Sequence, residues 1–145
     1  MMRQDELVSI LRREYKAMLR RWENGEFYYR LRFYMKHYAH KSWIRYETIK
    51  NTVCAVLALS RIGLPITVPS VSVVLNGTRS EQEIYQKLMY LASYNVLEPI
   101  SLLKSGNGRY LRGFKLTPQF IESVYTPLME QERKLEMGEV ARASS

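Results

Sequence analysis

Ser80 to Pro118 constrains the fold more than any other stretch of the chain. It reads as a capped amphipathic helix followed by two short strands joined at a glycine-rich turn. Ser80-Glu81-Gln82-Glu83 has the form of a capping box, in which the serine hydroxyl accepts from the Glu83 amide and the Glu83 carboxylate returns to the Ser80 amide. Ile84, Leu88 and Leu91 share one helical face, with Tyr85 and Ala92 beside them. Asn95 suits the left-handed residue that closes such a helix, because its short polar side chain tolerates positive φ. Val96 to Leu103 then reads as a strand entered through Pro99. Lys104-Ser105-Gly106-Asn107-Gly108 supplies the positive-φ positions of a hairpin tip. Arg109 to Leu116 is the returning strand, with Tyr110, Phe114 and Leu116 on one face. Thr117-Pro118 is an N-cap followed by an N1 proline, which predicts a new helix.

Upstream, Asp5 to Glu23 is predicted helical: Leu7, Leu11, Met18 and Trp22, with Tyr15, form a stripe, and Asn24-Gly25 ends it. Glu26 to Lys41 is a second expected helix, with Tyr28, Leu31, Met35 and Tyr38 on one side. Tyr46 or Glu47 to Ile62 is a third, carrying Ile49, Val53, Val56, Leu57 and Ser60 in register and closed by Gly63. Leu64-Pro65-Ile66 is a short extended link. Thr67 to Leu75 is two-sided: its β-branched residues favour a strand, whereas Thr67 as cap, the early Pro69 and the following Asn76-Gly77 favour a short helix. Pro118 to Glu136 is expected to be helical, broken or kinked at Pro127. Gly138 to Ser145 reads as a frayed tail.

Nine of the seventeen aromatic residues lie between Trp22 and Tyr46, interleaved with Arg30, Arg32, Lys36, Lys41 and Arg45. One helix cannot bury rings on every side within its own domain. Trp22, Tyr28, Tyr29, Phe33, Tyr34, Tyr38 and Trp43 are therefore candidates for a partner or dimer interface. The plain alternative is a packing helix whose tyrosines expose only their hydroxyls. A third possibility is a basic-aromatic surface that stacks bases or grips phosphates.

The chain has 145 residues and a net charge of +8, with twelve Lys/Arg against six acids in residues 1–50 and ten against eight thereafter. Such a surface favours nucleic acid or another polyanion. The N-terminus opens on acids without an apolar core segment, so no signal peptide is expected and the location predicted is cytoplasmic. The lone Cys54 reads as a small buried residue and excludes an internal disulfide or a multi-cysteine zinc site. Asp5 is the only aspartate, which disfavours a two-metal carboxylate centre. His37 and His40 could share a helical face, but the lysines beside them oppose a further cation. No phosphate-binding glycine loop stands between a strand and a helix. The expectation is a non-enzymatic protein with no metal and no cofactor.

The run Leu88…Leu91…Asn95-Val96-Leu97, the basic hairpin and Tyr110…Lys115-Leu116-Thr117 together resemble the second half of a winged helix-turn-helix domain of the broad MarR/PadR-like group of archaeal and bacterial regulators. The chain differs in carrying Asn95 and Phe120 where glycines are common. The resemblance implies a mainly α fold with a small β-hairpin wing (α+β), its core at 46–118, preceded by basic and aromatic helices (1–45) and followed by a C-terminal helix (119–137) and a tail (138–145). It implies that Thr67 to Leu75 is the second core helix. The candidate nucleic-acid-binding residues are then Arg79, Gln82, Gln86, Lys87 and Tyr90 on the recognition helix, and Lys104, Arg109, Arg112 and Lys115 around the wing. Glu81 and Glu83 at the helix start oppose phosphate. The function implied is duplex-DNA binding by a dimeric transcriptional regulator. The alternative is a non-enzymatic factor docking on the transcription or translation machinery through the basic-aromatic helices.

Overall fold

The computed structural model describes residues 3–38, 45–104 and 110–131, without the side chains of 103, 104, 110 and 111. His40, Lys41, Trp43, Arg109, the glycine turn and everything from 132 onward lie outside the described residues. The chain is mainly helical with one small two-stranded antiparallel sheet.

The helix α3 (Tyr46–Ile62) lies at the centre. Residues 52–59 are buried without a break, covering every side of two turns. An amphipathic helix buries only a stripe, so α3 must be sheathed all round. Its predicted stripe was narrower, and Ser60 sits half-buried at its edge. The sheath comes from α1 (Gln4–Glu23), α4 (Val68–Val74) and α5 (Glu81–Ser93). The helix α2 (Glu26–Lys36) packs on α1 and on the C-terminal helix. Leu11, Met18, Trp22, Phe27 and Leu31 belong to the same core cluster as Val53, Leu88 and Phe114. The residues before 45 thus share one core with those after it.

The stretch from Thr67 is helical, for a local reason. Thr67 Oγ1 accepts from the Ser70 amide at 3.1 Å while Ser70 Oγ accepts from the Thr67 amide at 2.8 Å, a reciprocal capping box. The box expected at Ser80 is only half present. Ser80 Oγ accepts from the Glu83 amide at 3.1 Å, but the Glu83 carboxylate turns to cations instead. Three helices end in the same way, on Gly63, Asn76 and Asn95 at φ 85°, 55° and 62°. The amide that follows each reaches back to close the last turn: Leu64 to the Leu59 carbonyl at 2.9 Å, Gly77 to Ser72 at 3.0 Å, Val96 to Leu91 at 3.0 Å.

The strands β1 (Leu97–Lys104) and β2 (Tyr110–Leu116) pair with Leu97 opposite Leu116 and Pro99 opposite Phe114, and the register shifts between Ser101 and Lys104. Phe114 donates its amide to the Ile66 carbonyl at 2.8 Å, so Ile66 bridges the far side of β2. Because a residue's N–H and C=O point the same way, Phe114 turns no hydrogen bond toward β1. Pro99 therefore sits where its missing N–H costs nothing. At Gly113 a Cβ would lie 2.7 Å from Leu102 Cδ1, which explains the glycine.

Thr117 caps the C-terminal helix, accepting from the Phe120 amide at 3.1 Å. The helix begins as α6 (Pro118–Phe120), widens into a π turn (Ile121–Tyr125) and continues through 126–131. Of the break or kink expected at Pro127, the break does not occur. In an α-helix the proline ring would meet the Ser123 carbonyl. The helix instead takes one extra residue per turn just ahead of it, with the Thr126 amide reaching the Ile121 carbonyl. In α2 the buried stripe is Phe27, Leu31, Tyr34 and Met35, not the expected one through Tyr28, and the helix ends at Lys36 rather than Lys41. No described helix is long and apolar enough to cross a membrane.

Candidate nucleic-acid interface

Burial of Ile84, Leu88 and Leu91 turns the opposite side of α5 outward. Gln82 and Gln86 stand exposed there, one turn apart. Glu83 Oε1 lies 3.9 Å from Arg79 and 3.9 Å from Lys87, so one carboxylate is flanked by two cations. Exposed pairs of this kind contribute only about 0.3–0.5 kcal/mol. They neutralise Glu83 yet hold Arg79 and Lys87 too weakly to keep them from a phosphate. Among the described residues no ion pair holds Glu81, the other acid of the first turn. Tyr90 is half-buried, its ring 4.9 Å from that of Tyr94; burial foremost, and then the hydrogen bond with Tyr94, pushes its hydroxyl pKa up. It lies on the flank of the outward face.

Strand alternation places Arg112 on the same side of β2 as Phe114, the side facing the helices. Arg112 hydrogen-bonds the Tyr85 hydroxyl and holds its guanidinium 6.0 Å from the centre of that ring. The base of the hairpin is thereby tied to α5. Lys115 lies 3.1 Å from Glu98, its partner across the ladder, with both side chains exposed. The Lys104 side chain and Arg109 are outside the described residues.

One part of this surface went unforeseen. Arg12, on α1, donates to Asn76 Oδ1 at 2.8 Å, in the turn that leads to α5. With Arg13, Lys16 and Asp5 it lines a shallow groove of about 920 Å³. The charge of Arg79 also reaches Tyr15 of α1, whose hydroxyl pKa is raised mainly by burial. Arg12 of α1 thus reaches the turn ahead of α5. The contact spans 64 positions, and only the stripe of cations on α1 could have hinted at it.

The candidate interface aromatics divide. Trp22 and Tyr34 are buried inside the chain and offer no surface to a partner. Trp22 meets Phe27 and Tyr28 edge-on at 5.6 and 5.3 Å. Tyr28 also packs on Tyr46, and Tyr38 leans on Tyr34. The Tyr34 hydroxyl donates to the Asn95 carbonyl at 2.7 Å and accepts from the Asn95 amide nitrogen at 3.1 Å. Burial is the main cause that raises its pKa to about 12. Tyr29 and Phe33 remain open to solvent, at 66% and 71% exposure. Among the described residues these two are the fully open rings of the set, Tyr28 and Tyr38 being half-buried, while Trp43 lies outside those residues.

Among the described residues no three His, Cys, Asp or Glu side chains gather as a metal site. Cys54 is buried, and that burial pushes its thiol pKa up, away from the thiolate a nucleophile needs. No protein-family model, curated protein or solved structure matches the chain.

Proposed function

We propose that the chain is a winged helix-turn-helix protein that binds duplex DNA as a transcriptional regulator. The observation that carries this reading is the bridge from Ile66 to Phe114. It inserts an extended segment between α3 and α4 and sets it beside the hairpin. The order of helix, bridged extended segment, helix, helix and two strands is the one a winged domain calls for, and it supports this reading. The outward face of α5 enters the major groove, where Gln82 and Gln86 have the donor–acceptor pair that reads adenine. Arg79, Lys87, Lys104, Arg109, Arg112 and Lys115 contact phosphates, joined by Arg12 and its neighbours on α1. Two copies about a two-fold axis would set their α5 helices one DNA turn apart, about 34–36 Å.

The test separates affinity from choice. Arg109→Ala with Arg112→Ala is expected to weaken binding equally on all duplex sequences. It should also flatten the salt dependence by about 0.9 per lost phosphate contact. Gln82→Ala with Gln86→Ala is expected to reduce the difference between sequences instead. Unchanged binding in both variants would contradict the proposal.

A further inference from the structure

The outer face of α2 carries a pattern that duplex binding by α5 and the hairpin does not use. At 100° per residue, Tyr29 and Phe33 run down the middle of that face. Arg32 and Lys36 lie along one side of them, Arg30 and His37 along the other. The two rings are the most exposed large apolar side chains among the described residues. No ion pair holds Arg32 or Lys36 among those residues, and Arg30 makes only a 3.4 Å contact with Gln131. A cavity of about 380 Å³ opens beside Phe33, lined by Arg30, His37, Tyr34, Tyr38 and Ser123. His37 Nδ1 is 2.9 Å from the Phe33 carbonyl, which leaves Nε2 for a ligand.

Charge decides what covers this face. From Glu26 to Lys36 there is one acid, at the helix start, against three cations. A second copy packed two-fold on α2 would set cation against cation. The fitting occupant is a polyanion that also presents flat apolar faces. Two rings one turn apart stand about 6 Å apart along the helix axis. An extended sugar–phosphate repeat can place successive unstacked bases at that separation.

We propose that α2 binds single-stranded nucleic acid. Tyr29 and Phe33 each stack a base, Arg30, Arg32 and Lys36 contact the phosphates, and the cavity beside Phe33 accepts a neighbouring base. Stacking rings and phosphate-binding cations engage features that DNA and RNA share, so the face is expected to treat the two alike.

The experiment measures fluorescence anisotropy of labelled mixed-sequence single strands, DNA and RNA, and of a duplex, each titrated with the full chain. Tyr29→Ala with Phe33→Ala is expected to lose at least about tenfold in affinity for both single strands. Its duplex affinity should stay within about twofold. Phe33→Trp is expected to keep single-strand affinity and to show quenching of the new indole as the strand is added. Arg32→Ala with Lys36→Ala supplies an independent test through the phosphates, expected to weaken single-strand binding and its salt dependence while leaving the duplex unaffected. Single-strand binding unaltered in the ring and cation variants would overturn the proposal. So would equal loss on single strand and duplex, a preference above about tenfold between DNA and RNA, or a wild-type dimer that the ring variant turns into a monomer by sedimentation. Absence of duplex binding alone would remove the winged-helix reading and leave this one standing.

Discussion

At the scale of single residues, the hydroxyl of Tyr34 joins α2, the end of α5 and the start of the C-terminal helix. It exchanges hydrogen bonds with Asn95, and Thr117 Oγ1 donates to the same Asn95 carbonyl at 2.6 Å. Tyr34→Phe strands the Asn95 amide and is expected to cost about 1–3 kcal/mol in urea unfolding. The same change has a pH signature. Tyr34 is held neutral in the fold, its pKa raised from 10.0 to about 12, chiefly by burial. Its contribution is whole below pH 10 and is lost as pH rises toward 12, because the unfolded chain ionises first. The variant should therefore show a shallower alkaline loss of stability than the wild type, though Tyr15, Tyr46, Tyr90 and Tyr125 act in the same direction. At Asn95 the backbone is left-handed. Asn95→Gly keeps that conformation at no steric cost and loses only the side-chain bond, whereas Asn95→Ala also pays strain. The glycine variant is expected to be the more stable by about 1 kcal/mol, read from the unfolding midpoint.

At the scale of elements, Glu83 of α5 sits between Lys87 on the same helix and Arg79 just ahead of its cap. Glu83→Gln keeps the backbone amide that Ser80 caps but removes the negative charge and releases Arg79 and Lys87. Duplex affinity at low salt is expected to rise a few-fold, with stability changed by less than about 1 kcal/mol; unchanged affinity would put α5 outside the interface. The core face of α5 and its Asn95 stop were legible in the sequence because both are local, written within a few residues. The phase of α2 was not. Phe27, Tyr28, Tyr29, Phe33 and Tyr34 make almost any helical stripe look apolar, so periodicity could not choose Phe27 and Tyr34 over Tyr28. At Pro127 the sequence announced a disturbance but not its form, since a proline can be met by a break, a kink or a π turn.

At the scale of the whole molecule, the excess positive charge lies mostly in the first 50 residues, and the fold returns part of it to the start of α5 through Arg12 and Asn76. Contacts across 64 or 61 positions, such as Arg12 with Asn76 and Tyr34 with Asn95, leave no mark on local pattern, so this share of the candidate interface was invisible until the chain was folded. Its recovery predicts that Arg12→Ala, far from the hairpin in sequence, lowers duplex affinity and the salt slope much as a hairpin cation does. The most direct measurement is fluorescence anisotropy of a mixed-sequence duplex pool titrated with the full chain at low and near-physiological salt, with a polyanion as competitor. Binding that weakens as salt rises, yet survives the competitor, is the predicted result. No duplex binding at low salt, from a chain of net charge +8, would contradict it.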